Sequence, residues 1–230
     1  MNTTITKFKH LEDTVLNYDD LITETTKSGR FYATPEGKKY PSVTTVLSIL
    51  SEDSIREWRA RVGEVEANKV SRRAASRGTT VHSMIEKYIK NEEISLEGVM
   101  PHIVYNFNTA KKYLDEFIGT VYALEVPLYS HHLRLAGRVD CIAEWNGKLS
   151  VIDFKTSNKT KTKDMIEGYF IQESAYAIMW EERTSVPIKQ LVVCIAGDEG
   201  PQVFIEDRDN WTKELINTIN EYKRRKLFGR

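Results

Sequence analysis

The stretch Gly137–Thr156 reads Gly-Arg-Val-Asp-Cys-Ile-Ala-Glu-Trp-Asn-Gly-Lys-Leu-Ser-Val-Ile-Asp-Phe-Lys-Thr and predicts two β-strands joined by a tight turn at Asn146–Gly147. An Asn-Gly pair between two apolar runs is a strong hairpin signal, because a type I′ turn requires positive φ at both of its central residues. A two-residue turn also fixes the register of the two strands. In this register Asp140 lies opposite Asp153.

This register places three charged side chains on one face of the hairpin. Side chains alternate between faces along a strand, so Lys155 shares the face of Asp140 and Asp153, with Arg138 opposite Lys155. Opposed like charges destabilise a sheet unless a shared proton, a basic side chain or a divalent cation compensates them. Mg²⁺ takes carboxylate and phosphate oxygens as ligands, and a neighbouring lysine can orient water or offset charge on a phosphate.

The residues around these charges indicate that the second strand is buried. Val151, Ile152 and Phe154 are apolar, and buried charges rarely lack partners. The alternative is a surface hairpin whose charges face water.

Composition indicates one domain of ordinary hydrophobicity. The chain has 230 residues, 40% of them hydrophobic, and 33 basic residues balance 33 acidic ones, so net charge alone does not indicate nucleic-acid binding. Cys141 and Cys194 lie in apolar runs and are predicted to be small core residues. No apolar run approaches the roughly 18 residues of a membrane span, and no signal or transit peptide is visible. We therefore expect a cytoplasmic protein, in a bacterium or a phage-infected host cell, without membrane contact.

Periodicity and turn signals predict the remaining elements. Ser42 is a candidate N-cap, and Ile55, Trp58, Val62 and Val65 form a predicted apolar stripe. Tyr169 is assigned to the apolar surface of its helix. The predicted elements are a hairpin within 29–40, helices over 42–50, 54–69, 72–90, 103–118, 164–182 and 209–226, and strands over 121–129, 190–196 and 201–206.

Three basic segments stand out in this neutral chain. Residues 69–77 contain four basic residues and no acidic one, residues 155–163 contain four lysines, and residues 223–226 read Lys-Arg-Arg-Lys. Such clusters suit a phosphate backbone, which dominates nucleic-acid affinity. The alternative in each case is a solvated surface.

The predicted helix over 72–90 carries a histidine in an unusual setting. His82 and Glu86 are four residues apart and share a helix face. Gly78 lies one turn before His82, where it costs about 1 kcal/mol of helix stability but allows a partner to approach the backbone closely. His82 is therefore either a structural histidine or a ligand.

These motifs follow one another in a definite order. The order is Gly78-x-x-x-His82, a strand with Glu125, the hairpin with Asp140 and Asp153-x-Lys155, and a helix with Gln172-x-x-x-Tyr176. This ordered set, which spans about residues 42–200, resembles the PD-(D/E)XK nuclease superfamily and its RecB-like exonuclease branch. The resemblance implies an α/β fold, in which helices flank a central mixed β-sheet with a restriction-endonuclease-like core and an N-terminal helical and hairpin extension.

The resemblance also implies a division of the chain. Residues 1–53 would form the extension, and residues 54–230 would form the nuclease domain. Within that domain, helices over 54–90 would cover the cleft, residues 121–207 would form the catalytic sheet, and residues 208–230 would form the C-terminal helix.

The site that the resemblance implies binds one or two Mg²⁺ or Mn²⁺ ions. The implied ligands are His82, Asp140, Asp153, the backbone carbonyl of Phe154 and, less directly, Glu125; Glu86 is a further possible member of the site. Lys155 would position or activate the attacking water. The implied DNA contacts are Gln172, Tyr176, Trp58, Arg72, Arg73, Arg77, Thr79, Lys159, Lys161 and Lys163. Two cysteines are too few for the four-cysteine iron–sulfur cluster of some relatives, and any helicase would be a separate chain, since no phosphate-binding loop is present.

The expected function is that of a metal-dependent DNA exonuclease that prefers single-stranded DNA or frayed ends. Three alternatives stay open at this point. The first is a structure-specific endonuclease with the same metal site, and the second is a non-catalytic nucleic-acid-binding module. The third is a small-molecule metal hydrolase, which the lysine-rich segments disfavour.

Overall fold

The computed structural model describes residues 7–11, 16 and 20–229. A six-stranded sheet lies at its centre, and a smaller three-stranded sheet lies beside it. The strands are β1 (Lys9–His10), β2 (Ile22–Thr26), β3 (Gly29–Ala33), β4 (Lys39–Pro41), β5 (Ile118–Ser130), β6 (Leu135–Trp145), β7 (Lys148–Ser157), β8 (Gln190–Gly197) and β9 (Gln202–Asp207). The order in the large sheet is β1-β5-β6-β7-β8-β9, and β2, β3 and β4 form the small sheet.

The large sheet is mixed. Strands β1 and β5, and also β7 and β8, pair in parallel, whereas the other neighbouring strands pair antiparallel. The helices are α1 (Val43–Leu47), α2 (Glu52–Val62), α3 (Glu64–Ile89), α4 (Pro101–Phe117), α5 (Glu167–Thr184) and α6 (Thr212–Leu227). A 3₁₀ turn, Ser48–Leu50, follows α1.

Helices cover both faces of the large sheet, because both faces of its central strands are apolar. Ile142 and Val151 pack with α1, α5 and α6 in one core cluster. Cys141 and Ile152 point to the opposite face and pack with α3 and α4 in a second cluster. The α/β fold with a central mixed sheet flanked by helices is confirmed, and both cysteines are buried and free, as predicted.

The central hairpin forms as its turn residues predict. Asn146 and Gly147 have φ angles of 52° and 74°. The register runs from Trp145 opposite Lys148 to Cys141 opposite Ile152. Backbone pairing ends there, one residue before the expected pair of aspartates.

Beyond that point the hairpin strands exchange a different contact. Asp140 accepts a hydrogen bond from the backbone N–H of Phe154 at 2.9 Å. Arg138, predicted to face Lys155, instead donates hydrogen bonds to Asp20 and to the backbone carbonyl of Glu125. The predicted pairing of Arg138 with Lys155 is therefore wrong, because Arg138 finds acceptors on the other side of its strand.

The helix boundary expected near residues 69–72 is also wrong. Helix α2 ends at Val62 and α3 begins at Glu64, because Gly63 adopts φ 84°, a conformation that glycine reaches without a steric cost. The basic segment at 69–77 lies inside α3. The predicted apolar stripe is not core: Ile55 is 48% exposed and Val65 is 85% exposed.

The N-terminal hairpin was predicted correctly in part. Strands β3 and β4 pair antiparallel as expected, whereas β2, which pairs with β3, was missed. The Ser42 hydroxyl accepts a hydrogen bond from the Thr45 N–H and so caps α1. Residues 1–6, 12–15 and 17–19 of the predicted extension lie outside the described residues, and the domain boundary at residue 53 stays a prediction. Each helix within the described residues is too short or too polar to span a lipid bilayer.

Candidate active site

Three potential metal ligands from three different elements meet at one place. His82 comes from α3, Glu125 from β5 and Asp140 from β6, and one ligand atom from each lies within 4.8 Å of the other two. His82 Nδ1 lies 3.5 Å from Asp140 Oδ2, and all three residues are partly exposed. We call these three residues the acidic cluster.

Strand pairing explains how Glu125 reaches Asp140. Leu124 pairs with Cys141 and Val126 with Val139, so Glu125 lies opposite Asp140. Glu125 has φ 52°, a left-handed conformation inside a strand. Such strain costs on the order of 1–3 kcal/mol and occurs most often at functional sites.

Electrostatic repulsion adds to this backbone strain. Burial, and then the carboxylates of Asp140 and Glu86, together raise the pKa of Glu125 to about 7, although Arg138 opposes the rise. Glu86, considered as a further site residue, forms an ion pair with Lys90 at 2.6 Å. The acidic cluster therefore holds two mutually repelling carboxylates beside one imidazole, and its oxygen donors suit a hard divalent cation.

A second group of side chains lies on β7 and α5. The Lys155 ammonium lies 2.6 Å from Asp153 Oδ1 and 2.5 Å from Oδ2, and Gln172 Nε2 donates to Oδ1 at 3.0 Å. Asp153 is 2% exposed. We call Asp153, Lys155 and Gln172 the lysine cluster. Its members are already paired with one another.

Burial and charge oppose each other in the lysine cluster. Burial raises the pKa of Asp153, and the Lys155 ammonium counteracts that rise. Burial alone would lower the pKa of Lys155, but the carboxylates of Asp153 and Asp140 outweigh it and raise that pKa. Lys155 is therefore a protonated donor near neutral pH.

Phe154 lies between the acidic cluster and the lysine cluster. Its N–H holds Asp140 of the acidic cluster, and its ring meets His82 edge-on at a centroid distance of 6.5 Å. Its neighbours Asp153 and Lys155 point into the lysine cluster. Strand β7 therefore fixes the spacing between the two clusters.

Tyr176, a predicted DNA contact, is buried against the central sheet. Tyr176 is 4% exposed, and its hydroxyl lies so close to β6 that a Cβ atom at Gly137 would come within 2.8 Å of it. Burial raises the pKa of Tyr176 well above its usual value. Tyr176 thus supports the strand that carries Asp140, and its contact with substrate stays a prediction.

Arg77 and Lys163 have partners within the protein. Arg77 Nη1 lies 3.2 Å from Asp198 Oδ2, and Asn106 donates to the other oxygen of Asp198, so this network ties α3 to the loop after β8. Lys163 forms an ion pair with Glu206 at 2.5 Å. The other predicted contacts are at least partly accessible: Arg72, Arg73, Thr79 and Lys159 are exposed, and Trp58 and Lys161 are half-buried.

Tyr169 contacts the lysine cluster, although it was predicted only as part of the apolar surface of its helix. Its ring lies 4.9 Å from the Lys155 ammonium, at a distance typical of a cation–π contact. Tyr169 precedes Gln172 by three residues on α5, a spacing that puts both on one helix face and could have identified it. Both residues line a groove of about 930 Å³, whose lining includes the exposed side chains of Leu50 and Met165. We call it the Tyr169 groove.

Comparison with known families identifies the class of protein. A family model described as the PD-(D/E)XK nuclease superfamily matches residues 96–228, which is more than half of the chain. The chain therefore belongs to the PD-(D/E)XK nuclease superfamily, and the predicted family is confirmed. The matched range contains Glu125, Asp140 and all three residues of the lysine cluster, whereas His82 lies before it.

The chain is also similar to curated exonucleases of vertebrates. It is 26% identical over 205 residues to mitochondrial genome maintenance exonuclease 1 of Homo sapiens, covering 81% of the chain and 59% of that protein. The Xenopus tropicalis protein of that name is 28% identical over 210 residues, or 81% of the chain and 58% of the relative. The Mus musculus protein is 31% identical over 129 residues, which cover 53% of the chain and 38% of that relative. The chain thus spans between 38% and 59% of the length of these relatives.

Proposed function

We propose that this chain hydrolyses phosphodiester bonds of DNA with a divalent cation, as an exonuclease that prefers single-stranded DNA or frayed ends. The observation that carries the proposal is the position of the acidic cluster beside the ion pair between the buried Asp153 and the half-buried Lys155. Membership in a nuclease superfamily and similarity to proteins named exonucleases support the same chemistry.

The acidic cluster fits Mg²⁺ or Mn²⁺. Its two carboxylates offer the oxygen ligands that hard cations prefer, and its imidazole is tolerated well by Mn²⁺. The repulsion between Glu125 and Asp140 and the strained backbone of Glu125 are features that a bound cation would compensate. Asp153 and the Phe154 carbonyl are proposed as further ligands. A divalent cation supplies charge stabilisation on the phosphate and lowers the pKa of the attacking water.

The residues of the lysine cluster have separate tasks in this proposal. Because Lys155 is protonated, it donates hydrogen bonds to a water or a phosphate oxygen and offsets negative charge that develops there. Asp153 holds the Lys155 ammonium in place through both carboxylate oxygens, and Gln172 holds Asp153. A preorganised donor of this kind needs little rearrangement during the reaction.

The surroundings of the clusters favour a single strand as the substrate. The Tyr169 groove begins at Gln172 and Tyr169 and offers aromatic and apolar surface. Unpaired bases can stack on such surface, whereas in a duplex their faces are already covered. Arg72 and Arg73, exposed on α3, are proposed to contact the phosphate backbone.

Cleavage of linear and circular DNA tests this function. End-labelled linear single strands and internally labelled circular single strands are incubated with Mg²⁺, Mn²⁺ or a chelator, and wild type is compared with Asp153→Asn and Lys155→Ala. We expect metal-dependent shortening of linear DNA, loss of it in both variants, and an intact circle. The label released first gives the polarity.

Two outcomes would replace this proposal. Cleavage of the circle at the same rate would show an endonuclease with the same metal site. Equal binding of linear DNA by all three proteins, with no cleavage by any of them, would show a nucleic-acid-binding module.

A further inference from the structure

A second groove lies apart from the two clusters, between the N-terminal hairpin and α6. Its volume is about 810 Å³, and it is lined by β3, β4, the turn between β5 and β6, and the last turns of α6. We call it the hairpin groove. It contains Leu135, the first residue of β6, which is five residues before Asp140. At a rise of about 3.3 Å per residue, the groove lies roughly 17 Å along the strand from the acidic cluster.

The hairpin groove is strongly basic in a chain of zero net charge. Five lysine or arginine side chains line it, against the single carboxylate of Glu36. The Glu36 carboxylate already has partners within the protein, because it accepts a hydrogen bond from Tyr129 and lies 3.5 Å from His131. Among the described residues, no carboxylate pairs with the remaining four cations, which are Lys38, Arg134, Lys223 and Lys226; the fifth, Lys39, pairs with Glu24 at 2.5 Å.

Aromatic rings lie between these cations. Phe31, Tyr40 and Tyr222 line the groove and are half-buried, so each has part of its surface in solvent. The Lys226 ammonium lies 4.7 Å from the centre of the Phe31 ring and 5.4 Å from that of Tyr222. Cations along a groove with aromatic rings among them are the features that bind the phosphates and bases of a single strand.

The four basic residues at the end of α6, Lys223–Lys226, point to two different sides of the helix. Arg224 pairs with Glu221 at 2.7 Å, and Arg225 pairs with Glu221 and Glu52 at 2.9 and 3.0 Å. Lys223 and Lys226 of the same tail line the hairpin groove. The arginines therefore have carboxylate partners on their own side of the helix, whereas Lys223 and Lys226 have none among the described residues and face the groove.

We propose that the hairpin groove is a second binding site for single-stranded nucleic acid, which holds part of a strand whose other part reaches the acidic cluster. The proposal rests on the proposed function for the nature of the ligand. The groove binds phosphates through Lys38, Arg134, Lys223 and Lys226, and it binds bases on Phe31 and Tyr40.

The test measures binding with no cleavage. Fluorescein-labelled oligothymidylate of about 15 nucleotides, close to the site sizes of known single-strand grooves, is titrated with the full chain in chelator at several salt concentrations. The variant Lys223→Ala/Lys226→Ala is compared with Arg224→Ala/Arg225→Ala, which removes the same charge from the same helix. We expect the lysine variant to bind about tenfold more weakly and with a salt slope smaller by about 1.4, since each phosphate contact contributes about 0.7 for single strands. The arginine variant should bind like wild type.

A substitution of an aromatic residue provides an independent readout. Phe31→Leu keeps apolar bulk but removes the aromatic face, so we expect affinity to fall about fivefold with an unchanged salt slope. The thermal unfolding midpoint of each variant shows that the fold is intact. Equal losses in the lysine and arginine variants, or no loss in the lysine variant, would overturn the proposal. Binding that depends on the groove in a chain that never cuts DNA would instead overturn the proposed function and leave the groove in place.

Discussion

The acidic cluster and the lysine cluster lie next to each other but differ in how their charges are balanced. In the lysine cluster, Lys155 lies within 2.6 Å of both oxygens of Asp153, and Gln172 adds a third contact. In the acidic cluster, Glu125 and Asp140 repel each other. The lysine cluster pairs its buried carboxylate with an ammonium of the same protein, whereas the acidic cluster has a surplus of negative charge.

This difference predicts opposite responses to substitution. Removing Asp153 or Lys155 from the lysine cluster leaves the other charge without its partner, so stability and activity should fall together. Removing a carboxylate from the acidic cluster relieves repulsion, so activity should fall while stability is kept or rises. The expected losses of cleavage decrease from Lys155, through Asp140 and Glu125, to Gln172.

Lys155→Ala should have the largest effect. It leaves the buried Asp153 carboxylate unpaired, which costs about 3–5 kcal/mol of unfolding free energy, and it removes the donor to the phosphate, so that cleavage falls to background. Urea denaturation and DNA cleavage measure the two effects. The double variant Asp153→Asn/Lys155→Met serves as the control, since it should regain stability without regaining activity. An equally unstable double variant would contradict the account.

Asp140→Asn should separate activity from stability. The substitution keeps an acceptor for the Phe154 N–H and removes one of the two repelling charges, so the unfolding free energy should change by less than about 1 kcal/mol. Cleavage should fall by about 10²–10³, as expected when one electrostatic contributor to the transition state is lost. A loss of stability as large as that of Lys155→Ala would show that the two clusters do not differ as described.

Glu125→Gly should stabilise the metal-free protein. Glycine adopts φ 52° without strain and carries no charge, which relieves about 1–3 kcal/mol, while its greater freedom in the unfolded chain costs about 0.5–1 kcal/mol. We therefore expect a net gain in unfolding free energy together with a loss of cleavage. Glu125→Gln is the matched control, because it removes the charge but keeps the strained backbone, and it should gain less. Destabilisation by both substitutions would refute the description of Glu125 as a strained and repelled residue.

Gln172→Leu should have the smallest effect on cleavage. It removes one donor to Asp153 but leaves the contacts of Lys155, so we expect a cost of about 1–2 kcal/mol in unfolding free energy and a modest decrease in cleavage rate. Comparing this variant with Tyr169→Leu separates the support of Asp153 from the aromatic contact with Lys155. If Gln172→Leu were as damaging as Lys155→Ala, the ammonium would not be the main partner of Asp153.

The parts of the fold set by local chemistry could be predicted from sequence. The Asn146–Gly147 turn determines its own strand register, and Ser42 caps α1 through its own side chain. The break at Gly63 was missed because an apolar pattern runs through it, although that pattern does not pack in the core. Helix periodicity alone does not show which face finds a partner.

The positions of the candidate site residues were predictable where they depend on the hairpin. The motifs singled out Asp140, Asp153 and Lys155 from their strand positions. The left-handed backbone of Glu125 and the contact of Tyr169 with Lys155 depend on how β5 and α5 lie against the hairpin. The pairing of Arg77 with Asp198 depends on a loop more than a hundred residues away in the chain. No short-range pattern encodes such contacts.

Mn²⁺ titration during thermal unfolding tests the central claim most directly, namely that the acidic cluster holds a divalent cation. A ligand present at one hundred times its Kd stabilises the folded state by about 2.7 kcal/mol, so the unfolding midpoint of wild type should rise by about 5–10 °C. Asp209→Asn, which changes an exposed aspartate elsewhere, should show the same rise, and Asp140→Asn should show none. An equal rise in Asp140→Asn, or no rise in wild type, would contradict the account.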